Sequence, residues 1–161
     1  MNIRAVAYLA WLAFALALPS GASMAQGAQY KNGQDLVGTW SLTATIDAGA
    51  PICPAGCSAP ALSTVMSDGT LIQSAPLSGT GAGHGVWRRT GLRTFKAVAY
   101  YFRTDPASGA FLGTSESLID ATVDKSGRQL TGTFTAVIRL PDQTLVTNYG
   151  GTISGTRVEL P

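Results

Sequence analysis

Beyond residue 35 the chain alternates between apolar and polar side chains. Leu36, Trp40, Leu42, Ala44 and Ile46 are interleaved with Val37, Thr39, Ser41, Thr43 and Thr45. A period of two predicts a half-buried strand whose apolar face holds the even positions from Trp40. Leu62 to Met66 and Thr70 to Ser74 flank Ser67-Asp68-Gly69, a hairpin signal because glycine tolerates positive φ. Gly85 to Thr90 predicts a short strand. Thr94 to Thr104 predicts a long one, with Phe95 and Tyr101 on one face and Tyr100 and Phe102 on the other. Turn residues at 105–109 lead into Phe111 to Val123, and Lys125-Ser126-Gly127 turns again. Leu130 to Leu140 alternates most cleanly, with Leu130, Gly132, Phe134, Ala136, Ile138 and Leu140 in one phase. Leu145 to Leu160 forms a last strand or strand pair, with a bulge or corner expected at Gly150-Gly151.

These are about eight strands joined by short turns, with no helix-period segment among them. The fold expected is all-β: a single antiparallel up-and-down β-barrel, because closure removes the unpaired edges of a sequential sheet. A two-sheet sandwich is the other solution, but its crossings need longer connections than most found here.

The first residues follow different rules. Arg4 precedes an unbroken apolar run from Ala5 to Leu18, then Pro19-Ser20-Gly21 and the small residues Ser23 and Ala25. This is the pattern of a secretory signal peptide cut after Ala25. The run is shorter than the roughly 18–20 residues of a spanning helix, so no membrane span is expected. Residues 1–25 are therefore read as a removable signal, 26–35 as a flexible arm, and 36–161 as the barrel. Trp11 and Phe14 drop out of the core, and the protein is expected in the periplasm or outside the cell.

Composition adds exclusions. The 161 residues are 45% hydrophobic and 12% charged, with a net charge of +2. A coiled coil and global disorder are excluded, and nothing points to nucleic acid. Nothing in the sequence sets the oligomeric state. Cys53 and Cys57 flank Pro54-Ala55-Gly56; in an oxidising compartment they are expected to form a disulfide across a turn. Two cysteines and the single His84 fall short of the four ligands of a structural zinc, so no metal and no cofactor are expected.

The opening strand carries Gly38-Thr39-Trp40, and the last carries Gly155-Thr156-Arg157. A Gly-x-Trp with a late arginine resembles the lipocalins and the wider calycin group. The resemblance implies that Arg157 packs over Trp40 and closes one barrel end, through a cation–π contact worth about 1 kcal/mol. No helix pattern stands between the last strands, as it does in lipocalins, so the likeness is to a lipocalin-like barrel. Gly83 to Trp87, together with Ser67 to Thr70, is also similar to small secreted bacterial proteins, which adds a destination and no chemistry.

Such a barrel implies an internal cavity open at one end, and a small apolar ligand as partner. Phe95, Tyr100, Tyr101, Phe102, Phe111 and Phe134 are the candidate lining residues. Glu116 and Asp120 share one strand face, about 13 Å apart, too far for a shared-proton pair. They are surface charges if that face is outside; if inside, they pair with Arg89, Arg103 or Lys96. Two alternatives to passive binding remain. One is a barrel isomerase or cyclase resembling the allene-oxide-cyclase type, with His84, Glu116 and Tyr101 as suspects. The other is an inhibitor-like protein-binding barrel that uses the arm Gln26 to Gln34. No nucleophile elbow and no phosphate-binding glycine loop is present.

Overall fold

The structure is a computed structural model and describes residues 36–48, 53–76 and 81–160. The predicted signal segment 1–25 and nearly all of the arm 26–35 lie outside the described residues. Eight strands follow one another: β1 Gly38–Ala48, β2 Ser58–Val65, β3 Thr70–Ser74, β4 Ala82–Arg89, β5 Thr94–Thr104, β6 Phe111–Val123, β7 Gln129–Arg139 and β8 Leu145–Arg157. Each pairs antiparallel with its neighbour in sequence, and β8 pairs with β1, so the sheet closes into one up-and-down barrel.

The alternation fixes which side chains enter. Trp40, Leu42 and Ile46 are buried on β1, while Ser41 and Thr43 face water. On β7, Leu130, Ala136 and Ile138 are buried and Thr131, Thr133 and Thr135 are exposed. Burying one face of every strand removes apolar area worth about 25 cal/mol per Å² from water. Leu140 lies beyond β7 and is exposed.

The ends of β1, β2, β4, β7 and β8 differ from the sequence reading, those of β2, β4 and β8 by the most. β2 starts at Ser58, because Ala59 and Ser58 continue the ladder to Ala44 and Thr45 of β1. The pairing of β2 with short β3 stops at Leu62–Ser74. Among the described residues, Ser58–Ala61 therefore has a strand neighbour on one side only, the kind of position that admits Pro60. β4 begins at Ala82, so Gly83 and Gly85 belong to the strand. β8 runs straight through Gly150-Gly151; the bulge sits on the facing strand, where Asp47 is extra between the pairs Ile46–Gly151 and Ala48–Gly150.

Up-and-down order divides the connections between two ends. The β2–β3, β4–β5 and β6–β7 turns lie at the end where β1 starts and β8 stops. The β1–β2, β3–β4, β5–β6 and β7–β8 connections lie at the other. Four turns are held by an aspartate whose carboxylate accepts hydrogen bonds from residues just after it. The Thr70 hydroxyl lowers the pKa of Asp68, the Ser108 amide that of Asp105, the Ser126 hydroxyl that of Asp124 and the Thr144 amide that of Asp142, all from an ordinary 3.8. A group with a folded pKa below its unfolded value contributes stability above the unfolded pKa and loses it as pH falls toward the folded one. Urea midpoints are therefore expected to hold steady down to about pH 4 and to fall below it, and Asp124→Asn to flatten that fall. Midpoints unchanged to about pH 2 would contradict this.

Candidate functional site

The end where the chain enters the barrel is sealed. Trp40 is fully buried and stands in register with Arg157. The Arg157 guanidinium lies over the indole, 4.4 Å from its centroid. Arg157 Nε donates to the Gly127 carbonyl (2.8 Å) and Nη1 to the Val37 carbonyl (2.5 Å). The Trp40 indole donates to the Leu36 carbonyl (2.8 Å). Gly38 has φ +135°, and a Cβ there would come within 2.4 Å of Arg157 Nη1. Glycine before the tryptophan thus gives the arginine its room as well as its backbone angle. Arg89 makes a second such stack, 4.9 Å over Phe95, and Trp87 meets the same ring edge-on.

Above this seal the interior holds two voids of about 30 Å³ each, room for about one water apiece. The deeper void lies against Trp40, Leu42, Val65 and Phe95. The outer one is bounded by Ala44, Ala59, Ala61, Ala75, Tyr101 and Phe134. Four alanines on one wall leave this space, beside the stretch where β3 is too short to cover β2. Gln73, Ile119 and Ile153 border both voids and form the partition between them.

Gln73 is the polar centre of the interior. It is buried, and its side-chain carbonyl accepts a hydrogen bond from the Tyr101 hydroxyl at 2.7 Å. The Tyr101 ring reaches it by lying across β4, where a Cβ on Gly83 would stand 2.4 Å from a ring carbon. Ser63, Ser115 and Ser117 are also buried, and the Ser115 hydroxyl has no hydrogen-bond partner. The far end is partly covered by the loop carrying the Cys53–Cys57 disulfide. That loop is tied to β1 by Ile46 N to Cys57 O (2.9 Å) and Gly56 N to Ile46 O (2.7 Å). Both cysteines pack against the cluster of Ile46, Ala136, Ile138 and Tyr149.

The six aromatic candidates divide. Phe95, Tyr101 and Phe134 point inward. Tyr100, Phe102 and Phe111 are on the outer wall, where Phe102 and Phe111 meet edge-to-face at 6.0 Å, so these three do not line the interior. Register decides this: Tyr101 faces in over Gly83, so Tyr100 and Phe102 face out. The three suspects for catalysis are not brought together either. Tyr101 is inside, whereas His84 and Glu116 stand outside, on either side of Tyr100 in one cross-strand row. The Glu116 carboxylate beside the Tyr100 hydroxyl raises the phenol's pKa above its usual 10. Asp120 is outside as well, paired with Lys96 at 2.8 Å, an exposed bridge worth at most about 1 kcal/mol.

Gln73 was not among the sequence candidates for the lining, all of which were aromatic. Its signal was phase: Gln73 shares the buried face of β3 with Leu71. Among the described residues, no group of three His, Cys, Asp or Glu side chains converges on a metal position, and no helix is long and apolar enough to cross a membrane. No protein-family model matches the chain, and no curated protein matches it. The closed eight-stranded antiparallel barrel is consistent with a calycin-like fold.

Proposed function

We propose that this is an exported, lipocalin-like barrel that binds a small, largely apolar molecule in the outer void. One observation carries the reading. A buried amide–phenol pair, Gln73 and Tyr101, faces an alanine-walled space at the end away from the Trp40–Arg157 seal. Apolar walls with one oriented polar group are the usual make-up of a small-molecule site. The Gln73 amide nitrogen carries two further donors, which suit a guest with a hydroxyl or carbonyl. At about 30 Å³ the void as it stands holds about one water, so a guest the size of a single ring enters only as the half-buried Phe134 ring swings aside and adds to the space. Export is supported by the disulfide and by the pattern of residues 1–25. Catalysis has less support, since His84 and Glu116 are separated from Tyr101 by the barrel wall.

Phenol, a ring with one hydroxyl, is a suitable probe. Millimolar phenol is expected to raise the melting temperature of the native chain by a few degrees. Ala61→Leu, which fills the void, is expected to melt cooperatively and not respond. Native mass spectrometry of protein taken from its own host's exported fraction is expected to show a retained small mass. The absence of both a phenol response and a retained mass would end this reading.

A further inference from the structure

The outer wall is not uniform. On β7, β8 and β1 it is a lawn of threonine and serine, including Thr131, Thr133, Thr152, Ser154 and Thr43. On β4, β5 and β6 it is apolar and aromatic. Val86, Val98 and Leu118 form one cross-strand row, and Val86 and Leu118 are 56% and 49% exposed. Tyr100 and Phe102 continue this face along β5 at 53% and 70% exposure. Charges stand on both sides of the apolar row: Arg88, Lys96 and Asp120 form the next row one way, and His84, Tyr100 and Glu116 the next the other way. Large apolar side chains grouped on one face of a β-barrel mark a contact surface.

We propose that this face binds a second copy of the chain, through a two-fold axis running along β5. Such an axis lays β4 of one copy on β6 of the other and β5 on itself. All but one of the pairs it creates are complementary or apolar. Val86 meets Leu118, Val98 meets Val98, Tyr100 meets Tyr100 and Phe102 meets Phe102. Arg88 meets Asp120, and His84 meets Glu116. Lys96 meets its own copy near the axis, where each ammonium is already neutralised by Asp120 at 2.8 Å. A two-fold axis across the strands has no such logic, for it sets Asp120 against Glu116 and Arg88 against His84.

A groove fits the first arrangement. Beside Leu118 the wall has a recess of about 240 Å³, bordered by Lys96, Asp120, Thr133 and Thr135. The axis along β5 directs the second copy's Arg88 into it. The aliphatic stem lies along Leu118 and the guanidinium reaches the Asp120 carboxylate. Strand spacing makes the face roughly 19 Å by 27 Å, below the ~800 Å² per partner of a standard interface. The dimer is therefore expected to be weak and reversible.

Sedimentation equilibrium of the exported chain, from about 1 µM to about 1 mM, reads this directly. A reversible monomer–dimer equilibrium is expected. Val98→Asp, at the axis, is expected to leave only monomer. Arg88→Asp and Asp120→Arg are each expected to weaken the dimer at least tenfold. Combined in one chain they are expected to restore it, because the contact runs between copies and the residue placed at 88 then stands in register with Lys96. All three sites are on the outer wall, and a cooperative melt for each variant separates loss of dimer from loss of fold. A chain monomeric throughout the range overturns the proposal. So does a dimer indifferent to Val98→Asp, or a double variant no stronger than the singles.

Discussion

Trp40→Ala is expected to lower the free energy of unfolding by about 3–5 kcal/mol, a large share of what a domain of this size has to lose. The indole is fully buried and borders the deeper void, so its removal enlarges an existing space that rigid strands cannot close. It also takes away the ring beneath Arg157, a contact worth about 1 kcal/mol. Because Trp40 and Arg157 stand in register on the strands that close the ring, the loss falls on the seam of the barrel. Urea unfolding followed by far-ultraviolet circular dichroism measures it. A loss under about 1 kcal/mol would mean that the seam is held elsewhere.

Gly83→Val is expected to be nearly as damaging, for a different reason. The added side chain occupies the place of the Tyr101 ring. The tyrosine has to leave, giving up burial worth about 1.5–3 kcal/mol. Gln73 is then left with an unpaired carbonyl inside the barrel, at a further cost of about 1–3 kcal/mol. The check is a double-mutant cycle with Tyr101→Ala. Once the ring is gone, Gly83→Val is expected to cost far less, so the two changes should be strongly non-additive. Additive losses would show that valine at 83 acts on the ladder and not on the ring.

The barrel was legible in the sequence because its information is local. A period of two, punctuated by Asp-Gly, Ser-Gly and Pro-Asp, gives strands and hairpins, and sequential hairpins leave closure as the way to remove edges. β3, β5 and β6 agree with the reading at both ends. The choice of inward face on β5 was not legible. Aromatic residues occupy both of its faces, and the deciding partner, Gly83, belonged to a segment that reads as a loop. Gln73 was masked by more conspicuous aromatic residues, although its phase with Leu71 placed it inside. The outer apolar face was hidden for the converse reason. Tyr100 and Phe102 read as lining residues until the register turned them outward, beside Val86 and Leu118.

The seam has one more consequence. Every other strand pair joins neighbours along the chain, but Val37 and Arg157 meet across 120 positions. Closing a loop of that length costs about 4 kcal/mol in chain entropy beyond a constant, and little local structure is gained before it closes. The open eight-strand ribbon is thus the natural precursor, and zipping β8 onto β1 completes it. The starting point is arbitrary with respect to the ring, since the start of β1 and the end of β8 lie side by side. A circular permutant opened in the 105–109 turn and joined across the seam keeps every pairing in the wall. It makes β5 and β6 the distant pair, and moves the late step of folding to the face that carries Tyr100 and Leu118.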